Sequence, residues 1–394
     1  MLIKKLIALV LTVLPLCLPL CHPLTSGPRT EARIQELDQV TLDRISVLVD
    51  SFIEAGYVVG AELLIIKDSR TVLHRACGAR DIEAQLPMER GTLFNIRSMA
   101  KPIVGSIAMR LVDRGIISLD DHVSLYLPSF AGGLSNGITI EHLLTHRSGL
   151  PDGNPAGRPA DYPTLRSIAD YWGGHGPTEF SPGEGFLYSD PGADVLGAVL
   201  ESVTGLPLHE LAAREVFEPL GMNSTTALLD DAFIGSHHFS SLYQPDGQGA
   251  WQRVWSPDRG SIAPFTIGSG TTWYSTPEDY ARLLTAWQNE GLVGGEQWLS
   301  RESVQQALTP RSVMPYASQI PECEVRYGQM WQIYVRTNEA EQGERAAFGH
   351  SGSDGTYSWV WPEHGLVVLY FTQSRGQRTR LLLEPYLEKL ALNR

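Results

Sequence analysis

The period of the apolar residues changes twice along this chain, and that change constrains the fold more than any other feature. Residues 58–79, "VVGAELLIIKDSRTVLHRACGA", read as two strands around a tight turn at Lys67 to Arg70. The last third returns to strands in "RYGQMWQIYV", "AFGHSG", "TYSWVW" and "LVVLYF", and "PEHG" joins the last two as a hairpin. Between these ends the chain is helix and loop. Strands at both ends with helices between them specify one sheet assembled from the two termini, with a mostly helical lobe inserted between its halves. The boundaries expected are residues 30–97 with 295–394 for the α/β lobe and residues 98–294 for the helical lobe.

Helices bracket the strands. Residues 31–55 repeat apolar at Ile34, Leu37, Val40, Leu42, Ile45, Val47 and Leu48 and stop at Gly56. "TRLLLEPYLEKLAL" closes the chain as a helix. Inside the insert, a helix runs from about Ser98 to Val112 with Ile103, Ile107 and Leu111 on one stripe. "DPGADVLGAVLESVTG" opens on Asp190 and Pro191, a cap-then-proline start, and ends at Gly205. "LHELAAREVFEPLG" is a further short helix, and Thr276 caps another. Residues 229–270 are rich in Gly, Pro and Ser and read as a long loop of the sort that lines sites.

At 394 residues, the chain exceeds what one core usually organises. Its formal net charge of −13 and lack of a basic run exclude nucleic acid as a partner. Residues 1–22 pair a positive Lys4-Lys5 with an apolar stretch broken by Pro15 and Pro19. This reads as an export signal, too short and too interrupted to span a membrane, and it places the protein in the periplasm or outside the cell. "LPLC" ends at both Cys17 and Cys21, a hint of lipid anchoring weakened by the bulky Leu before each cysteine. No later stretch could span a bilayer. Cys77 and Cys323 remain after signal removal, either paired or as two buried thiols.

In "NIRSMAKPIV", Ser98 and Lys101 stand three apart where the helical pattern begins, so hydroxyl and amine share a face. A desolvated lysine there favours its neutral, proton-accepting form, and the helix N-terminus favours a developing anion. The four residues alone equally describe a capping serine and a lysine lying along apolar surface. Two further motifs follow in order: Tyr188-Ser189-Asp190 and His350-Ser351-Gly352. Together they resemble the serine β-lactamase and penicillin-binding superfamily, most closely its class C-like branch, with Ser-x-x-Lys, Tyr-x-Asn and Lys-Thr-Gly or His-x-Gly. From about residue 31 to the C-terminus, "ITIEHLLTHRSGL", "LGAVLESVTGLPL", "EPLGMNST" and "STPEDYARLL" look like framework phrases of that family.

The resemblance implies an α/β fold of the α+β kind, an antiparallel sheet flanked by helices. It implies acyl transfer through a covalent intermediate on Ser98, with Lys101 and Tyr188 handling the proton. It puts Asp190, His350, Gly352 and Ser353 at the substrate, with the backbone N–H groups of Ser98 and Ser353 as the oxyanion hole. Neither a metal nor an organic cofactor is called for. Asp190 departs from the family's Asn: an ionised carboxylate accepts but cannot donate. The expected activity is that of an exported carboxylesterase on small esters. Amide-cleaving members of the same fold are the alternative: a β-lactamase, a D-amino-acid peptidase or a short-oligoamide hydrolase. A non-catalytic cell-wall binding or sensor module is more remote. Two decoys are set aside. Ser135 in "GLSNG" lacks the strand and helix of a nucleophile elbow. His142 and His146 suit packing or capping better than a metal. Trp255, Trp273, Trp331, Trp359 and Trp361 belong to an acyl pocket or, more simply, to the core.

Overall fold

The computed structural model describes residues 29–392 except 316, 317, 319, 341, 342 and 378; the leader with Cys17 and Cys21 lies outside the described residues. A nine-stranded sheet is built from both ends of the chain. From the N-terminal part come β1 (Gly60–Lys67), β2 (Arg70–Asp81) and β3 (Leu86–Pro87). From the C-terminal part come β4 (Ser312–Val313), β5 (Cys323–Tyr327), β6 (Gln332–Arg336), β7 (Arg345–Gly352), β8 (Thr356–Trp361) and β9 (Leu366–Thr372). Their order is β4-β5-β6-β7-β8-β9-β1-β2-β3, antiparallel throughout. The two halves meet at β9 and β1, where Leu64 lies opposite Leu369.

All seven residues of β9 are buried, so both faces of the sheet are covered. Leu366, Val368 and Tyr370 face one core, and Val367, Leu369 and Phe371 face the other, the period of two expected of a strand. The first core is closed by α1 (Arg29–Glu54) and the C-terminal helix, the second by the helical insert. Along α1 the buried stripe is Leu42, Ile45, Leu48, Val49 and Phe52. Val40 and Val47, counted on that stripe from sequence, are exposed, because a helix of 3.6 residues per turn carries them round to the solvent side. The β1–β2 turn is Asp68-Ser69, both at positive φ, as two-residue hairpins of matching twist require.

Three expectations need correction. Residues 229–270 are not one loop. They hold a short helix, Asp231–Ser236, capped by Asp230, and a hairpin of Leu242–Pro245 with Trp251–Trp255. The elements are too short to show a period. "RYGQMWQIYV" is the end of β5, a turn with Met330 at φ 61° and then β6. Cys77 and Cys323 do not pair: β2 and β5 are six strand spacings apart, about 29 Å at ~4.8 Å each. The five tryptophans weighed for a pocket are all buried core residues.

Within the insert, α2 (Ala100–Asp113) runs beneath the sheet with Ile103, Ile107 and Leu111 fully buried. Around it lie α3 (Ile140–Leu144), α4 (Asp190–Thr204) and α5 (Pro277–Gln288). No helix among the described residues is long and apolar enough to cross a membrane.

Candidate active site

Ser98 sits in one 3₁₀ turn, Arg97–Met99, that leads into α2. The turn is braced from several sides. Arg97 holds a left-handed φ of 47°, its N–H bound to Asn95 Oδ1 at 3.0 Å. Its guanidinium pairs with the fully buried Asp354, which Arg375 also holds at 2.7 Å. Two glycines let other backbone close on this turn. A Cβ on Gly270 would lie 1.8 Å from the Arg97 carbonyl oxygen, and one on Gly352 would lie 2.4 Å from that of Ile96. Strain of that kind gathers where a side chain must be presented in one geometry.

Lys101 is fully buried on the first turn of α2, and its three hydrogens are all spoken for. Nζ donates to Ser98 Oγ at 3.2 Å, to Asp190 Oδ1 at 2.6 Å and to the Ser269 carbonyl at 3.1 Å. Burial works against its charge, but Tyr188 and then Asp190 outweigh burial and hold its pKa above the ordinary lysine value. Lys101 is therefore an ammonium. It cannot accept the Ser98 proton in this state, although desolvation alone had pointed to a neutral amine.

Asp190 was read from sequence as the cap of α4. The cap is Ser189, whose Oγ accepts from Gly192 N–H at 3.2 Å, and Asp190 is the first helical residue. The carboxylate is thereby released to reach Lys101, and it stays half exposed on the open side of the site. Tyr188, just before the cap, places its ring 4.8 Å beneath the Lys101 ammonium. Its buried hydroxyl makes no hydrogen bond of full geometry. Burial raises its pKa, and the neighbouring Lys101 charge acts against that rise.

The third motif lies along the end of β7. Gly352 touches the nucleophile turn as described, and Ser353 is exposed immediately after it. His350 is set behind the site: it is 2% exposed, with Nε2 3.0 Å from Tyr327 Oη and Nδ1 3.0 Å from Ser351 O. Burial first and the Lys101 charge second push its pKa down to about 3, so it is neutral. The structure thus gathers Ser98, Lys101, Tyr188 and Asp190 and stations Gly352 and Ser353 alongside, whereas His350 turns inward.

Several residues here carried no sequence signal that was followed. Ser269 and Gly270, in "IGSG", supply the lysine's carbonyl and the close approach. Asp194, one turn after Asp190, accepts from Ser269 N–H at 2.7 Å and so holds that segment; burial, then the Asp190 charge, pushes its pKa up to about 7. Tyr327 and His146 back the Tyr188 ring. The decoys take structural roles, although Ser135 is buried in a 3₁₀ turn, Gly133–Gly137, where a loop was expected. Ser135 gives its hydroxyl hydrogen to Gly173 O at 3.0 Å, and His142 completes a capping box with Thr139. Among the described residues, Glu62, His74 and Glu278 place ligand-type atoms within 4.8 Å of one another, on β1, β2 and α5. Their spacing along the chain could not have shown it.

A family model described as beta-lactamase matches residues 45–392. Protein Rv1367c of Mycobacterium tuberculosis is 30% identical over 370 residues, covering 85% of this chain and 90% of that protein. Esterase EstB of Burkholderia gladioli is 31% identical over 277 residues, covering 62% of this chain and 69% of the esterase. Among solved structures, EstCE1, a hydrolase with promiscuous acyltransferase activity, superposes with a TM-score of 0.70 at 25% identity, covering 90% of this chain and 99% of that one.

Proposed function

The chain belongs to the beta-lactamase family and is a hydrolase of that fold, and we propose that it acts as a carboxylesterase on small esters through an acyl-enzyme on Ser98. One observation carries this reading: Lys101 Nζ joins Ser98 Oγ to Asp190 Oδ1, with the Tyr188 hydroxyl beside them. Ser98 Oγ attacks the ester carbonyl. Its proton passes to the small phenolate fraction of Tyr188, which burial disfavours and the adjacent Lys101 ammonium favours. Tyr188 then hands that proton to the departing alkoxide. A water follows the same route in reverse and frees the acid. The developing oxyanion is received by the backbone N–H groups of Ser98 and Ser353.

The ester preference rests on two features. Asp190 offers no N–H to an amide carbonyl, and His350 offers no cation to a substrate carboxylate. The esterase relative supports the same direction. Export by the residue 1–22 leader belongs to this proposal too, and N-terminal sequencing of secreted protein tests it. The activity test is a panel of p-nitrophenyl esters, D-Ala peptides and a chromogenic cephalosporin, with intact-mass detection of the acyl-enzyme. Ser98→Ala should lose the adduct and nearly all turnover, while Ser135→Ala keeps both. An active Ser98→Ala enzyme would sink the assignment, and faster amide than ester turnover would move the protein to the peptidase or β-lactamase reading.

A further inference from the structure

The Tyr188 hydroxyl has polar interactions with Lys101 and Ser98 but none of full hydrogen-bond geometry, so what its ring rests on helps to set its direction. Besides the Lys101 ammonium, three rings back it: His146 at 4.4 Å between centroids, Tyr327 at 5.9 Å and nearly perpendicular, and His350 at 6.2 Å. These three rings are linked to one another. Ser189 N–H donates to His146 Nδ1 at 3.2 Å, so neutral His146 carries its hydrogen on Nε2. That nitrogen is 3.2 Å from Tyr327 Oη, which is 3.0 Å from His350 Nε2. Ser351 N–H donates to His350 Nδ1 at 3.0 Å, so neutral His350, like His146, carries its hydrogen on Nε2 and donates it to Tyr327 Oη.

We propose that Tyr327 is a positioning residue for Tyr188, its hydroxyl the shared acceptor in the middle of a hydrogen-bond chain that enters from Ser189 through His146 and from Ser351 through His350 and locks the rings beneath the Tyr188 ring. The chain starts at the residue after Tyr188 and ends at the residue before Gly352. It therefore ties the segment bearing the proton carrier to the segment bearing the oxyanion donor, two pieces 162 positions apart in "YSD" and "HSG" numbering from Tyr188 to His350. Burial and the Lys101 charge keep both histidines neutral, which acceptance at Nδ1 requires. A strained backbone marks the same place: His146 holds φ 54°, rare for a residue with a side chain.

This deepens the acyl-enzyme reading and rests on it, and the two fail in different experiments. Tyr327→Phe removes one oxygen and keeps the ring. It should lower kcat about 10- to 100-fold through misalignment, with KM within about threefold and the melting temperature within a few degrees. In the unaltered enzyme at neutral pH, ¹⁵N NMR should show His146 and His350 both with the hydrogen on Nε2. In Tyr327→Phe both lose their shared acceptor, and both Nε2 signals should shift. The wild-type spectrum needs no variant to fold, and finding either histidine as the Nδ1–H tautomer there overturns the chain. So does a Tyr327→Phe kcat within twofold of wild type when Tyr188→Phe is inactive. Full activity in Tyr188→Phe would instead overturn the reading of Tyr188 itself.

Discussion

Replacing Asp190 by Asn changes one atom at the most informative position in the site. The fold should be indifferent: α4 is capped by Ser189, and Asn suits the first turn of a helix well enough. Lys101 keeps an oxygen acceptor but loses a charged one. The difference between a charged and a neutral hydrogen bond is about 1 kcal/mol, and less here because the Asp190 side chain is 46% exposed and its charge is screened. A loss in melting temperature of about 2 °C or under follows for a chain of this size. The chemistry should respond more. The carboxamide places an N–H where a substrate amide carbonyl can accept it. Recovering about 1.4 kcal/mol from that bond multiplies kcat/KM for amides about tenfold. Esters gain less, since their carbonyl is more reactive without the donor, so the amide-to-ester ratio of kcat/KM should rise about tenfold. The assay pairs a p-nitrophenyl ester with the matching p-nitroanilide on both enzymes, with circular dichroism melts to certify the fold. A ratio that stays flat or falls in a folded variant would refute the reasoning. Asp190 would then serve only to pair with Lys101, and the ester preference would lose its main support.

Two further predictions follow from buried titratable groups. His350 has its pKa pushed down to about 3, so it adds no cation at working pH. A neutral p-nitrophenyl ester should therefore outperform a carboxylate-bearing counterpart, and a strict need for the carboxylate would contradict this. Glu62 is wholly buried, and burial, opposed by the His74 hydrogen bond, raises its pKa from 4.5 to about 6. Because the folded value is the higher one, the folded state holds the extra proton between these values, and stability declines as pH rises from about 4.5 to about 6, by roughly 2 kcal/mol. Glu62→Gln should flatten that slope in urea melts and leave the variant more stable than wild type at pH 7.5; an unchanged slope would exclude Glu62 as its source.

The sheet was legible because β9 is an unbroken apolar run and β1–β2 flank a two-residue turn, both local patterns. The contact of Ser98 with Lys101 was legible because the two are one helical turn apart. What escaped reading lies far apart in sequence or differs by one position. Ser189 and Asp190 are both good capping residues, and only the three-dimensional path decides between them. His146, Tyr327 and His350 meet from α3's end, β5 and β7, and nothing in their surroundings along the chain announces the meeting. Gly270 resembles any other turn glycine until the Arg97 carbonyl is found against it. Desolvation of Lys101 can be guessed from an apolar pattern, but the 2.6 Å reach of the Asp190 carboxylate across 89 positions is set by the fold.

The junction of β1 with β9 has a consequence for how the molecule is made. β1 leaves the ribosome about 300 residues before the strand that completes its pairing, which begins at Leu366. Until then β1 and β2 form a hairpin with an open edge, which has little stability of its own. The helical insert can condense as it emerges, but the platform it packs against is incomplete. Completion of the sheet thus waits for β9, and contacts of such long range close slowly. Ribosome-stalled or C-terminally truncated chains lacking β9 should carry Ser98, Lys101 and Tyr188 and yet be inert and readily proteolysed. Under the export proposed above, such late closure would keep the polypeptide open until it has crossed the membrane.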